Sequence, residues 1–457
     1  MRRPAASACV VVIAAVIAGG GSPAAARPPV PDPALLPSGG TPAPPDATEQ
    51  RIVCSEPEEA PDGPQMPVAQ RILDFESVWP LTRGAGQVVA VIDTGVQPHP
   101  RLPALQPGGD YVSTGDGTDD CDAHGTLVAG LIAAAQVPGS GFAGGAPDVQ
   151  LITIRQSSGR YSDRARADDD TARNATGYGD VRTLALALRR AVDLGATVVN
   201  ISEVACRTTA EGLFDGPLGA AVQYATDVED VVVVVAAGNT DTCRPGNPGS
   251  LDPAAPEDDP WNSVTTLASP AWYDDYVLAV GAVEPDGTPS EYSLPGPWVD
   301  VAAPGSGLVS LNPGTAGLVD QVWGSNGPQS ISGTSFAAPL VAATAALVRA
   351  RHPHLTAREV MARIEATAHA PAEGWNPRVG HGIVDPYAAV TAPLSANRSY
   401  PVEARPPEPH PLAAPADTPP PDNRSRTIAL IAAAAVCIAL VPVVLLSIPR
   451  RRLGART

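Results

Sequence analysis

The sequence predicts an α/β fold, a parallel sheet covered by helices on both faces, and three observations carry that prediction. Four short runs, "QVVAVID" (87–93), "VQLITI" (149–154), "ATVVNIS" (196–202) and "DVVVVVAA" (230–237), are dense in Val and Ile. Branched side chains suit a pleated strand, and an apolar run without polar alternation suits one buried on both faces. Segments of helical character lie between them: "HGTLVAGLIAAA" (124–135), "DVRTLALALRRAVDLG" (180–195) and "GPLGAAVQYAT" (216–226). The region that holds them, 71–392, is long enough for one large core. In such an open sheet, functional groups collect beyond the carboxyl ends of the strands.

The flanks are of a different kind. Met1-Arg2-Arg3, the apolar stretch Ala8 to Ala18 and Ala24-Ala25-Ala26 form the pattern of a secretory signal, 1–26, cleaved near Ala26. Residues 27–70 carry a dozen prolines and few large apolar side chains, so they form an extended wrapping without a core of their own. A second Pro-rich segment, 393–426, reads as a linker. Thr427 to Ile448 holds 22 uncharged residues, enough helix to span about 30 Å of hydrocarbon. Arg450, Arg451 and Arg452 follow, which places the tail 449–457 in the cytoplasm and the large region outside, on a single-pass cell-membrane anchor.

Charge narrows the partners. All 30 basic residues are Arg, and with 48 acidic residues the formal net charge is -18, which argues against nucleic acid. No metal-ligand cluster stands out and no cofactor is expected; the acidic loops read as solvated charge rather than calcium sites. Cys9 lies in the signal and Cys437 in the anchor, so Cys54, Cys121, Cys206 and Cys243 face an oxidising space with three possible connectivities. If the strands ending at Ser202 and near Ala237 are neighbours, Cys206 and Cys243 reach the same sheet edge. Cys54 is then left for Cys121, three residues before His124.

Candidate chemistry gathers at element boundaries. Asp93 closes "VVAVID", His124 opens "HGTLVAG", and Ser335 opens "GTSFAAPLVAATAALVRA". Each motif alone is weak, since Asp-Thr-Gly also occurs in aspartic proteases, but that chemistry needs a second such segment and none is present. Together they supply a nucleophile, a base within reach of it and a carboxylate to hold the base's tautomer. Asn239, after the strand "VVVVVAAGN", offers an amide donor for an oxyanion beside the Ser335 N–H. Pro339 lacks an N–H and crowds the carbonyl four residues earlier, that of Ser335, so the helix mouth should open at the nucleophile.

In this order, "VVAVIDTGV", "HGTLVAG", "VVNIS", "VVAAGN", "YVLAVGAV", "DVAAPG", "GTSFAAPLVAATAALV" and the closing "VGHGIVDPYAAV" resemble the subtilisin family of serine proteases. The resemblance implies a triad of Asp93, His124 and Ser335 and an oxyanion residue Asn239. It also implies substrate-pairing segments at Ile152, Thr153, Ile154 and at Asn200, Ile201, Ser202, with Ala268 near the base of the specificity pocket. The arrangement of signal, Pro-rich extension, linker and C-terminal anchor is similar to the mycosins, membrane-anchored subtilases of actinobacterial type VII secretion systems. That likeness implies an anchored endopeptidase acting on exported proteins, associated with the secretion membrane complex; the alternative is a structural subunit that stabilises the complex independently of proteolysis. Two departures stand out. The extension is too short and too polar for the folded propeptide of typical subtilisins, and "VNISEV" lacks the glycine common after this serine. The polar stretch 155–180, rich in Arg and Asp, is expected to be a mobile loop near the cleft.

Overall fold

In the computed structural model the described residues are 26–164, 177–255, 258–324 and 327–393, all within one compact unit. In chain order they form β1 (Thr48–Gln50), β2 (Val88–Asp93), β3 (Leu105–Asp110), α1 (His124–Ala133), β4 (Gln150–Arg155), β5 (Tyr161–Asp163), α2 (Val181–Asp193), β6 (Val198–Ile201), β7 (Ala205–Thr208) and α3 (Gly216–Gln223). There follow β8 (Val232–Ala236), β9 (Thr266–Ser269), β10 (Leu278–Val283), β11 (Val301–Pro304), α4 (Thr334–Arg351) and α5 (Ala357–Thr367). Seven strands make one sheet in the order β11-β10-β8-β6-β2-β4-β3, every neighbouring pair parallel.

The continuous apolar runs are explained by what each face of this sheet touches. Val89 and Val91 of β2, Val198 of β6 and Val232 and Val234 of β8 join a core with Leu127, Leu131 and Ile132 of α1 and Leu340 and Val341 of α4. Their alternate neighbours, Ala90, Ile92, Val199, Ile201, Val233 and Val235, join a second core with Leu184 and Leu188 of α2 and Leu218 and Val222 of α3. Side chains alternate across a strand, so a strand with helices on both faces needs an apolar residue at every position.

The extension is not a free tether. β1 pairs antiparallel with β5, Thr48 opposite Asp163, and Cys54 is joined to Cys121. The second disulfide joins Cys206 to Cys243, just beyond the neighbouring strands β6 and β8. The described ends of the stretch 155–180, expected to be a mobile loop, are held in place: β5 is paired with β1, Tyr178 bridges Ser158, and Asp180 caps α2, while the middle of the stretch lies outside the described residues. Cation contact with Arg155 adds to this, its guanidinium lying 4.7 Å from the Tyr161 ring.

The signal at 1–26 lies almost wholly outside the described residues, as does the anchor at 427–448. Among the described residues no helix is long and apolar enough to cross a membrane.

Candidate active site

Asp93 ends β2 at the carboxyl edge of the sheet, where Gly95 turns the chain with φ 103°. A side chain on Gly95 would strike Asp119 O at 2.3 Å, so the turn requires glycine. Gly125 is equally constrained: a Cβ there would lie 2.0 Å from Gly95 O. The missing Cβ lets the start of α1 seat directly on the end of β2, which brings His124 to Asp93. His124 Nδ1 and Asp93 Oδ1 are 2.7 Å apart, with Asp93 fully buried.

α1 begins without a side-chain cap from its preceding residue, Ala123. Its first N–H groups are satisfied from elsewhere. Gly125 N donates to Thr94 Oγ1 at 3.0 Å and Thr126 N to Asp120 Oδ2 at 2.8 Å, while Thr94 Oγ1 itself donates to Asp120 Oδ1 at 2.8 Å. Asp120 thus ties the residue after Asp93 to the residues after His124. Burial pushes its carboxyl up to about 7, against the hydrogen bonds from Thr126 and Thr94 and with the Asp93 charge adding to the rise. Sequence reasoning missed both Thr94 and Asp120. Asp119, Asp120 and Asp122 all precede His124, and nothing in the sequence marks which of these carboxylates faces inward.

Ser335 occupies the first turn of α4, and Pro339 stands inside that helix. Pro339 has no N–H to offer the Ser335 carbonyl, and Ser202 Oγ donates to that carbonyl instead, at 2.8 Å. In return Ser335 Oγ donates to Ser202 O at 2.9 Å. The hydroxyl is therefore turned toward β6's end, and no Ser335–His124 hydrogen bond is formed among the described residues. The imidazole is nonetheless adjacent, its ring 4.8 Å from that of Phe336, the next residue along α4. Catalytic hydrogen bonds are often loose before substrate binds.

Asn239 follows β8 and is oriented by the same helix mouth. Its Oδ1 accepts from Thr334 N at 3.0 Å and from Thr334 Oγ1 at 3.1 Å. With the oxygen so occupied, the amide nitrogen is the side chain's remaining donor. Asp93, His124, Ser335 and Asn239 thus converge from the ends of β2 and β8 and the starts of α1 and α4.

The substrate-pairing assignments need correction. Ile152, Thr153 and Ile154 lie inside β4, bonded on one side to β2 and on the other to β3, and all are buried. Asn200 and Ile201 lie likewise between β2 and β8. A backbone already paired on both sides has no groups left for a peptide. The continuation of β4 at Gln156, Ser157 and Ser158 lines the open cleft, and the Ser202 carbonyl is held against the Ser335 hydroxyl. Ala268 is buried in β9 opposite Cys206 of β7 and does not line that cleft.

The cleft, about 610 Å³, runs from His124 past Ser157 and Tyr178 to Cys206. Glu203, also overlooked in the sequence, lines it. Burial pulls the His124 imidazole down, but the Asp93 charge and hydrogen bond, helped by Glu203 and Asp120, outweigh it and push the group up to about 9. Asp93, His124 and Glu203 place one ligand-type atom each within 4.8 Å of one another.

Comparison with known proteins agrees with this geometry. The Subtilase family profile matches residues 84–382. The chain is 49% identical to Mycosin-4 of Mycobacterium tuberculosis over 434 residues, covering 93% of this chain and 91% of that protein. It superposes on the crystal structure of MycP1 from Mycobacterium smegmatis with a TM-score of 0.75 at 41% identity, over 86% of this chain and 100% of the other. It also matches a chain in the periplasmic assembly of the ESX-5 inner membrane complex, with a TM-score of 0.76 at 41% identity, over 86% of this chain and 99% of that one.

Proposed function

The chain belongs to the subtilase family and is a serine endopeptidase, and from that premise we propose that Asp93, His124 and Ser335 are its catalytic triad and Asn239 its oxyanion donor. The observation that carries the reading is the 2.7 Å contact of His124 Nδ1 with buried Asp93, with Ser335 at the adjoining helix mouth. That contact fixes the tautomer that leaves Nε2 free to take a proton.

A peptide entering the cleft competes for Ser202 O with its own backbone N–H. Losing that acceptor, the Ser335 hydroxyl rotates toward His124 and attacks the carbonyl carbon as its proton passes to Nε2. Negative charge then gathers on the carbonyl oxygen, facing the Asn239 amide, the Ser335 N–H and the positive end of α4. His124 returns the proton to the leaving amine, and water hydrolyses the acyl-enzyme by the same steps. Labelling with a serine-directed fluorophosphonate tests this: the modified peptide should contain Ser335, and Ser335→Ala should abolish labelling. Modification elsewhere would refute it.

We further propose an extracytoplasmic enzyme held by the segment 427–448, exported by the signal 1–26, cutting exported proteins in a type VII secretion setting. The mycosin likeness across nearly the whole chain supports this. The neighbour found in the ESX-5 inner membrane complex favours a second role, a structural part in such an assembly. Secretion assays separate the two. If Ser335→Ala reproduces full deletion, proteolysis is the whole role; if secretion persists with the inactive chain but not without it, the structural role stands.

A further inference from the structure

The cleft beside His124 carries more negative than positive charge. Asp122, Asp180 and Glu203 line it, and no arginine does among the described residues. Two of these carboxylates are already engaged. Asp122 accepts from Ser158 Oγ and Gly159 N and lies 3.7 Å from Arg160 Nε, while Asp180 caps α2 through Arg182 N and Thr183 N. Glu203 makes no ion pair with an arginine among the described residues, and the cation it faces is His124 itself. It stands instead within 4.8 Å of both Asp93 and His124, so one imidazole faces two carboxylates.

That arrangement has a chemical cost in the active form. When His124 is neutral, ready to accept the Ser335 proton, Asp93 and Glu203 confront each other with no positive charge between them. Burial of Glu203, with the Asp93 charge adding to it, holds its carboxyl above its ordinary range against the pull of His124. A cation supplied by the bound peptide would relieve both.

Resting on the protease reading above, we propose that Glu203 is a specificity-determining residue, forming a subsite for a basic side chain, Arg or Lys, of the peptide substrate close to the scissile bond. The guanidinium or ammonium would sit at the mouth of the cleft against Glu203, with the Asp122 and Asp180 charges behind it reinforcing the attraction.

The experiment uses the full-length chain and internally quenched peptides in which each position around the scissile bond carries either Arg or its neutral isostere citrulline. At one position Arg should raise kcat/KM roughly 10- to 100-fold, the range of a charge-assisted hydrogen bond. The preference should weaken as NaCl rises, and Glu203→Gln should bring the Arg-to-citrulline ratio close to one. A ratio that stays near one at every position in the unaltered chain overturns the proposal, as does a strong preference that survives in Glu203→Gln. Should Glu203→Gln fail to fold, Glu203→Asp, which keeps the charge but withdraws it, must lower the ratio without abolishing it; an unchanged ratio counts against the subsite. Fluorophosphonate labelling of Ser335 runs in parallel. Labelling without an Arg preference removes this inference alone, whereas loss of both cleavage and labelling removes the reading beneath it and the inference with it.

Discussion

Asn239→Ala is the sharpest test of how the helix mouth works. In the resting structure the Asn239 side chain is held through its oxygen alone, by Thr334 N at 3.0 Å and Thr334 Oγ1 at 3.1 Å. In the proposed oxyanion role its amide N–H makes its interaction only when charge develops on the attacked carbonyl, and losing an interaction made only then lowers kcat rather than raising KM. Loss of one such donor in a subtilisin costs about 2.7–4 kcal/mol, or roughly 10²–10³ in kcat. The same loss is expected here, with KM changing less than about threefold. Stability should fall by only about 1 kcal/mol, because the Thr334 N–H loses its capping acceptor at the start of α4. Asn239→Asp keeps both Thr334 bonds but turns a donor into a charge facing the oxyanion, so kcat should fall at least as far while the fold is spared. The assay is steady-state hydrolysis of a fluorogenic peptide, with active sites counted by fluorophosphonate titration. A loss in kcat below about tenfold in Asn239→Ala, or a loss carried wholly by KM, would refute the oxyanion assignment.

Three other outcomes follow from the same structure. With His124 pushed up to about 9, the neutral imidazole is the minor form at neutral pH, so kcat/KM should climb with pH through about 9 and level off above it; a profile already flat at pH 7 would show that Asp93 and Glu203 do not raise the imidazole that far. Stability should move the other way in acid: burial pushes Asp120, Asp274 and Glu365 up to about 7 and Asp300 in the same direction, so between roughly pH 4 and 7 the folded chain binds protons that the unfolded chain has released. The free energy of unfolding therefore falls as pH rises through that window, and thermal melting should occur at higher temperature at pH 5 than at pH 7.5; the reverse order would sink the argument. Replacing Cys54 and Cys121 together by Ser opens a loop of 67 residues, which a chain-entropy estimate values at about 4 kcal/mol, and denaturant titration should show a loss of that order with the extension becoming the first site of proteolytic nicking. An unchanged midpoint would mean that the β1–β5 pairing alone holds the extension.

What the sequence made legible was whatever a single segment determines. The four Val/Ile runs appear as β2, β4, β6 and β8 with ends shifted by one or two residues, because a strand between two helical layers must be apolar throughout. β3 escaped notice for the opposite reason: "LQPGGD" lies at the sheet's edge with a register shift between Pro107 and Gly109, and an edge strand tolerates residues that a central strand rejects. The substrate-pairing error has the same root. Composition identifies "LITI" as a strand but not its place in the sheet order, and β4 has a neighbour on each side, so its backbone has nothing left to offer a peptide. Asp93, His124 and Ser335 could be read because each sits at the junction of an apolar run and a turn, where the chain's own pattern marks an edge. Asp120 and Glu203 could not, since a carboxylate in an acidic or polar run has no local signature; one became a helix cap and the other a cleft wall only when β2, α1 and the end of β6 met. That division follows the physics. Periodicity records burial, which is a property of one element, whereas a shifted pKa and an unsatisfied charge belong to pairs of elements brought together by the fold.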